Sequence, residues 1–94
     1  MRLEKLPRFD QELSDIIDFI AKDNPTRALK FYDELIIKIE QIPANPLMYR
    51  KRANNNDEDI RELIYKGYVI PFYIDHKNNK IVILGIFNQN LWEL

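Results

Sequence analysis

Apolar residues recur at Phe9, Leu13, Ile16, Ile17 and Ile20, a spacing that forms one stripe on a helix of 3.6 residues per turn. Asp10, Glu12, Asp15 and Asp18 take much of the opposite side, so the pattern predicts an amphipathic helix ending near Lys22–Asp23. Asn24 and Pro25 read as the N-cap and first position of a second helix. Its apolar set is Ala28, Phe31, Tyr32, Leu35, Ile36, Ile39 and Ile42, and Pro43 and Pro46 end it. A break of about two residues makes the pair an antiparallel hairpin.

The second half changes period. Ile60–Tyr65 and Tyr68–Asp75 are short, β-branched and aromatic, and Lys66-Gly67 between them is a two-residue hairpin signal. After the polar turn 75–79, Lys80–Phe87 reads as a nearly all-apolar strand, buried on both faces. Pro71 has no N–H to give to a ladder, so its strand needs a bulge or an edge there. Residues 2–6 carry a weak signal for a further strand. Together these elements predict one α+β domain spanning residues 1–94. An N-terminal helical hairpin packs on one face of a small, three- to four-stranded, mostly antiparallel sheet. The other face is expected to be at least partly open, and an open apolar face or edge calls for a partner.

Composition narrows the function classes. Ninety-four residues with 46% hydrophobic and 31% charged side chains are globular rather than disordered. Without cysteine there is no disulfide framework or thiol nucleophile, and a single histidine excludes a histidine-cluster site. No apolar run approaches the roughly 20 residues of a membrane span, and no secretory signal is visible, so a soluble cytoplasmic domain is expected. Neither cofactor nor metal is expected. No phosphate loop, metal-spaced ligand set or nucleophile elbow occurs. His76 reads as a solvated turn residue, and Asp57, Glu58 and Asp59 as a solvated loop. The net charge of −1 is uneven. Arg50, Lys51 and Arg52 form a single basic knot just before the acidic 57–59 run, which is narrower than the basic face of a protein built for a phosphate backbone.

Two features stand out. Tyr49 with Arg50 and Arg52 forms a basic loop suited to phosphate, to the carboxylates of an acidic protein segment, or to solvent alone. Asn88, Gln89, Asn90 and Trp92 put successive amides and the only tryptophan in the tail. That tail serves recognition, or Leu91 and Trp92 fold back on the core.

The chain resembles the RelE/ParE toxins of bacterial type II toxin–antitoxin modules, also called plasmid stabilisation proteins. The carriers are Leu13-x-x-Ile16-x-x-Phe19-Ile20, Asn24-Pro25-x-x-Ala28 with Tyr32, and Leu35-x-x-x-Ile39-x-x-Ile42-Pro43. They continue with Asn45-Pro46-x-x-Tyr49, Ile60-Arg61-Glu62-Leu63, Gly67-Tyr68-x-x-x-Phe72-Tyr73 and the strand Ile81–Phe87. The resemblance implies a helical hairpin on a small sheet and a cognate antitoxin that binds the toxin as a hetero-oligomer. One branch cuts mRNA on the ribosome with arginines and a terminal tyrosine or histidine; the other inhibits DNA gyrase without them. Val69 stands where the RNA-cutting branch has an arginine, and amides stand where it has a second. The resemblance therefore favours the ParE-like branch, with no catalytic residue, antitoxin contact through Tyr49, Arg50, Arg52 and Arg61, and target contact through the tail. The alternatives are a ribosome-dependent mRNA endonuclease using Arg50, Arg52, Arg61 and Tyr68, and a non-toxic interaction module.

Overall fold

The computed structural model describes residues 1–52 and 57–88. Strand β1 (Arg2–Lys5) leads into helix α1 (Pro7–Asp23), and helix α2 (Pro25–Glu40) follows after one residue. Both helices start on a proline at the first helical position. The single connecting residue, Asn24, does two jobs. Its backbone N–H closes α1 on the Ile20 carbonyl at 2.9 Å, and its side-chain oxygen accepts the Arg27 N–H at 3.1 Å to cap α2. Two short 3-10 turns, Ile42–Ala44 and Pro46–Met48, carry the chain back to the sheet.

The sheet follows as β2 (Arg50–Lys51), β3 (Ile60–Tyr65), β4 (Tyr68–Asp75), β5 (Lys80–Ile83) and β6 (Phe87–Asn88), in the order β1-β5-β4-β3-β2 with β6 also on β4. It is wider than the sequence pattern suggests, because β1 and β2 extend it at either side. β1 pairs parallel to β5, and every other pairing is antiparallel. The Lys66-Gly67 turn closes β3 on β4 with both residues at positive φ, 48° and 84°, as a tight hairpin turn requires.

The predicted strand Lys80–Phe87 is interrupted. Phe72 pairs with Ile83, but Val69 pairs with Phe87, so Leu84–Ile86 holds one residue more than the facing stretch of β4. This is a β-bulge, and Pro71 lies opposite it. The Pro71 carbonyl accepts the Leu84 N–H at 2.9 Å, so the ring nitrogen without a proton faces the bulge, where no ladder bond is needed.

Both helices pack on one face. Phe9 and Leu13 of α1 and Phe31, Leu35 and Ile39 of α2 meet Leu63, Ile70, Phe72, Ile74, Ile81 and Ile83 in a single core. Ile16 and Ile20 are only partly buried against its margin, and Phe19 projects into solvent. By strand alternation, Arg50, Glu62, Pro71, Val69, Tyr73 and Val82 belong to the other face. None of the described helices is long and apolar enough to cross a membrane.

Candidate functional site

The basic loop and the strand beside it split their arginines between the two faces of the sheet. Arg61 pairs in register with Phe72, a core residue, and so lies on the helix side. Its Nη1 donates to the Leu47 carbonyl at 3.2 Å and to the Tyr49 carbonyl at 2.9 Å, while its Nε is buried and meets no acceptor among the described residues. The Tyr49 ring stands edge-on to Phe72 with centroids 5.5 Å apart, and burial pushes its hydroxyl pKa up. Arg61 and Tyr49 therefore anchor the second 3-10 turn to the sheet, and that turn presents Leu47 and Met48 to solvent.

Arg50 lies on the opposite face, paired with Glu62. Its Nε meets the Glu62 carboxylate at 2.8 Å, and Glu62 is only 7% exposed while Arg50 remains half open to solvent. A nearly buried carboxylate in an apolar strand needs that partner, since an unpaired charge there is costly. In the sequence Glu62 stands directly after Arg61 in the otherwise apolar strand 60–65, and an acid inside such a strand is the signal for a buried ion pair.

Arg52 extends this surface. Its guanidinium stacks over the Phe87 ring at 5.3 Å. With Arg8 and Glu12 from α1, and with Pro71, Gly85 and Phe87 below, it borders a groove of about 410 Å³. The Glu12 carboxylate also accepts the Ile86 N–H at 3.2 Å and pairs with Arg8 at 3.2 Å. Arg50 and Arg52 thus present charge on a surface that Arg61 and Tyr49 support from behind.

Asn88 ends β6 opposite Tyr68, and Gln89, Asn90 and Trp92 lie outside the described residues. Val69 is 3% exposed, in register with Ile64 on one side and Phe87 on the other. The Tyr68 ring packs edge-on against Phe31 at the first residue of β4, four residues before Phe72, the register partner of Arg61. His76 meets Asp59 at 3.0 Å, joining the β4–β5 turn to the start of β3. Glu58 pairs with Lys51 at 3.1 Å, and among the described residues no cluster of three or more side chains could hold a metal ion.

The comparisons bear on the whole arrangement. A family model described as the ParE toxin of the type II toxin–antitoxin system, parDE, matches residues 3–90. A solved structure, the chromosomal ParDE TA system from P. aeruginosa, superimposes with a TM-score of 0.75 at 21% identity. The match covers 94% of this chain and 95% of that one, a likeness of fold. No match is found among curated protein sequences.

Proposed function

The chain belongs to the ParE toxin family of type II toxin–antitoxin systems, and from that premise we propose that it stops growth by binding a target rather than by cutting RNA. DNA gyrase is the favoured target, and a cognate antitoxin holds the toxin inactive in a hetero-oligomer. A gyrase target and an antitoxin partner both place the protein in the cytoplasm.

The observation that carries this reading is Val69. In-line attack by a ribose hydroxyl on RNA needs positive charge at the phosphate and a group to move the proton. The residue at the arginine position of the RNA-cutting branch is a valine closed between two strands, 3% exposed. Of the neighbouring cations, Arg61 is held by loop carbonyls on the helix side of the sheet, and Arg50 lies on the opposite face, paired with Glu62 and half open to solvent. Tyr68 lies four residues along β4 from Phe72, the register partner of Arg61, which argues against a shared site for them.

Arg50 and Arg52 supply contacts for acidic side chains of the antitoxin, with Arg61 and Tyr49 fixing the loop that carries them. An antitoxin segment that folds on binding suits such a surface. The tail, Asn88 with Gln89, Asn90 and Trp92, is assigned to target contact.

The test is induced expression with and without the small acidic reading frame expected beside the gene, followed by supercoiling and translation assays. Growth arrest relieved by the neighbour, with supercoiling inhibited, supports the reading. Toxicity that the neighbour does not relieve overturns it.

A further inference from the structure

The groove of about 410 Å³ at the β-bulge, where β5 gives way to β6, is built to hold a small ligand. Ile60, Pro71 and Leu84 give it apolar walls, and Arg8, Glu12 and Arg52 bring charge to it. Gly85 adds no side chain, and a Cβ there would lie 2.6 Å from Glu12 Oε1.

Its cations are held in place without being used up. The Arg52 guanidinium lies 5.3 Å from the Phe87 ring centroid, and its N–H groups have no acceptor among the described residues. A guanidinium laid on a ring keeps its forked edge free and loses little freedom when an anion meets that edge. Arg8 gives its Nε to Glu12 at 3.2 Å and keeps its Nη groups without an acceptor among the described residues. With two arginines and one acid, the groove suits a single compact anion rather than a run of phosphates.

We propose that this groove binds a nucleoside monophosphate. The phosphate meets Arg52 and Arg8, whose forked N–H groups match phosphate oxygens in pairs. The base and sugar lie against Ile60, Pro71 and Leu84, and Glu12 accepts from an amino or hydroxyl group of the ligand. Small-molecule sites span roughly 300–1,000 Å³, and an inorganic phosphate ion would leave most of this groove empty. Arg52 is also given to the antitoxin in the reading above. The titration below contains no antitoxin, so either assignment can fail without the other.

The experiment titrates the native chain by calorimetry with the adenosine, cytidine, guanosine and uridine monophosphates at low salt. The matching nucleosides and inorganic phosphate are titrated as the separate halves. At least one nucleotide should saturate a single site per chain and bind about tenfold or more tightly than either half. Arg52→Lys keeps the charge but loses the fork, and Arg8→Gln removes a charge from the groove. Each should weaken binding about tenfold, with a melting curve confirming that the variant is folded. Lys77→Gln, on the remote β4–β5 turn, should bind as the native chain does. Failure of all the nucleotides to saturate the native chain at millimolar concentration would overturn the proposal. So would native-like binding by both arginine variants. An equal loss on Lys77→Gln would assign the affinity to net charge and overturn the site. Tighter binding of a short oligonucleotide without a terminal phosphate would overturn the choice of a monophosphate.

Discussion

The Glu12 carboxylate occupies the space that a side chain at position 85 would need. A Cβ built on Gly85 would lie 2.6 Å from Glu12 Oε1, the atom that also accepts the Ile86 N–H. The bulge opened by Pro71 leaves that N–H without a strand partner, and a helix carboxylate replaces it. Gly85→Ala pushes Glu12 aside and should cost about 1 kcal/mol through the lost hydrogen bond. In a Glu12→Ala background the same change should cost clearly less, because the two positions share one interaction. Urea unfolding of the four proteins measures the coupling, and strict additivity would show that Glu12 does not hold the bulge.

Leu35 tests the packing of the hairpin. It is fully buried, as are Ile39 above it and Phe72 beneath. Leu35→Ala should cost about 2–5 kcal/mol, a large part of the stability of a domain this size. A loss below about 0.5 kcal/mol would place the residue at the surface.

Tyr65 and Glu34 give the protein a stability profile with two limbs. The hydrogen bond from Tyr65, with Lys66 and Lys30 close by, holds the Glu34 pKa below its usual 4.5. That contribution is complete above about pH 4.5 and is lost as the pH falls through the lowered value. Burial first, and then Glu34, pushes the Tyr65 hydroxyl from 10.0 to about 12. Its contribution is complete below about pH 10 and is lost as the pH rises towards 12. Tyr65→Phe should lower the melting temperature near neutrality and flatten both limbs relative to the native protein. Melting curves that stay parallel across the whole range would contradict this.

Deleting the tail tests whether it serves target binding or folding. Removing residues 89–94 should abolish growth inhibition while leaving melting and partner binding nearly unchanged. A fall of about 4–8 °C, as a loss of 1 kcal/mol produces in so small a domain, would assign the tail to core closure instead.

Much of the fold is legible because local chemistry and global packing agree. The stripe at Phe9 and Leu13, the Asn24-Pro25 cap and the Lys66-Gly67 turn each appear where the sequence pattern puts them. Pro71 announces an interruption, and the bulge lies opposite it. The parallel pairing of β1 with β5 is not legible, because residues 2 and 80 are joined only by contacts distant in the chain. The fate of each arginine is hidden for a similar reason. Arg50 and Arg61 look alike in the sequence, but strand register sends one to Glu62 and the other beneath the loop. Ile16, Phe19 and Ile20 lengthen the apolar stripe of α1 beyond what the sheet covers, and that surplus stays at the margin of the core or in solvent.

The most direct measurement adds the purified protein to a gyrase supercoiling reaction and to a translation extract, each with and without the product of the neighbouring gene. The account predicts inhibited supercoiling that the neighbour reverses, and intact mRNA in the extract. Codon-positioned mRNA cleavage that disappears on Arg61→Ala, with supercoiling untouched, would contradict it.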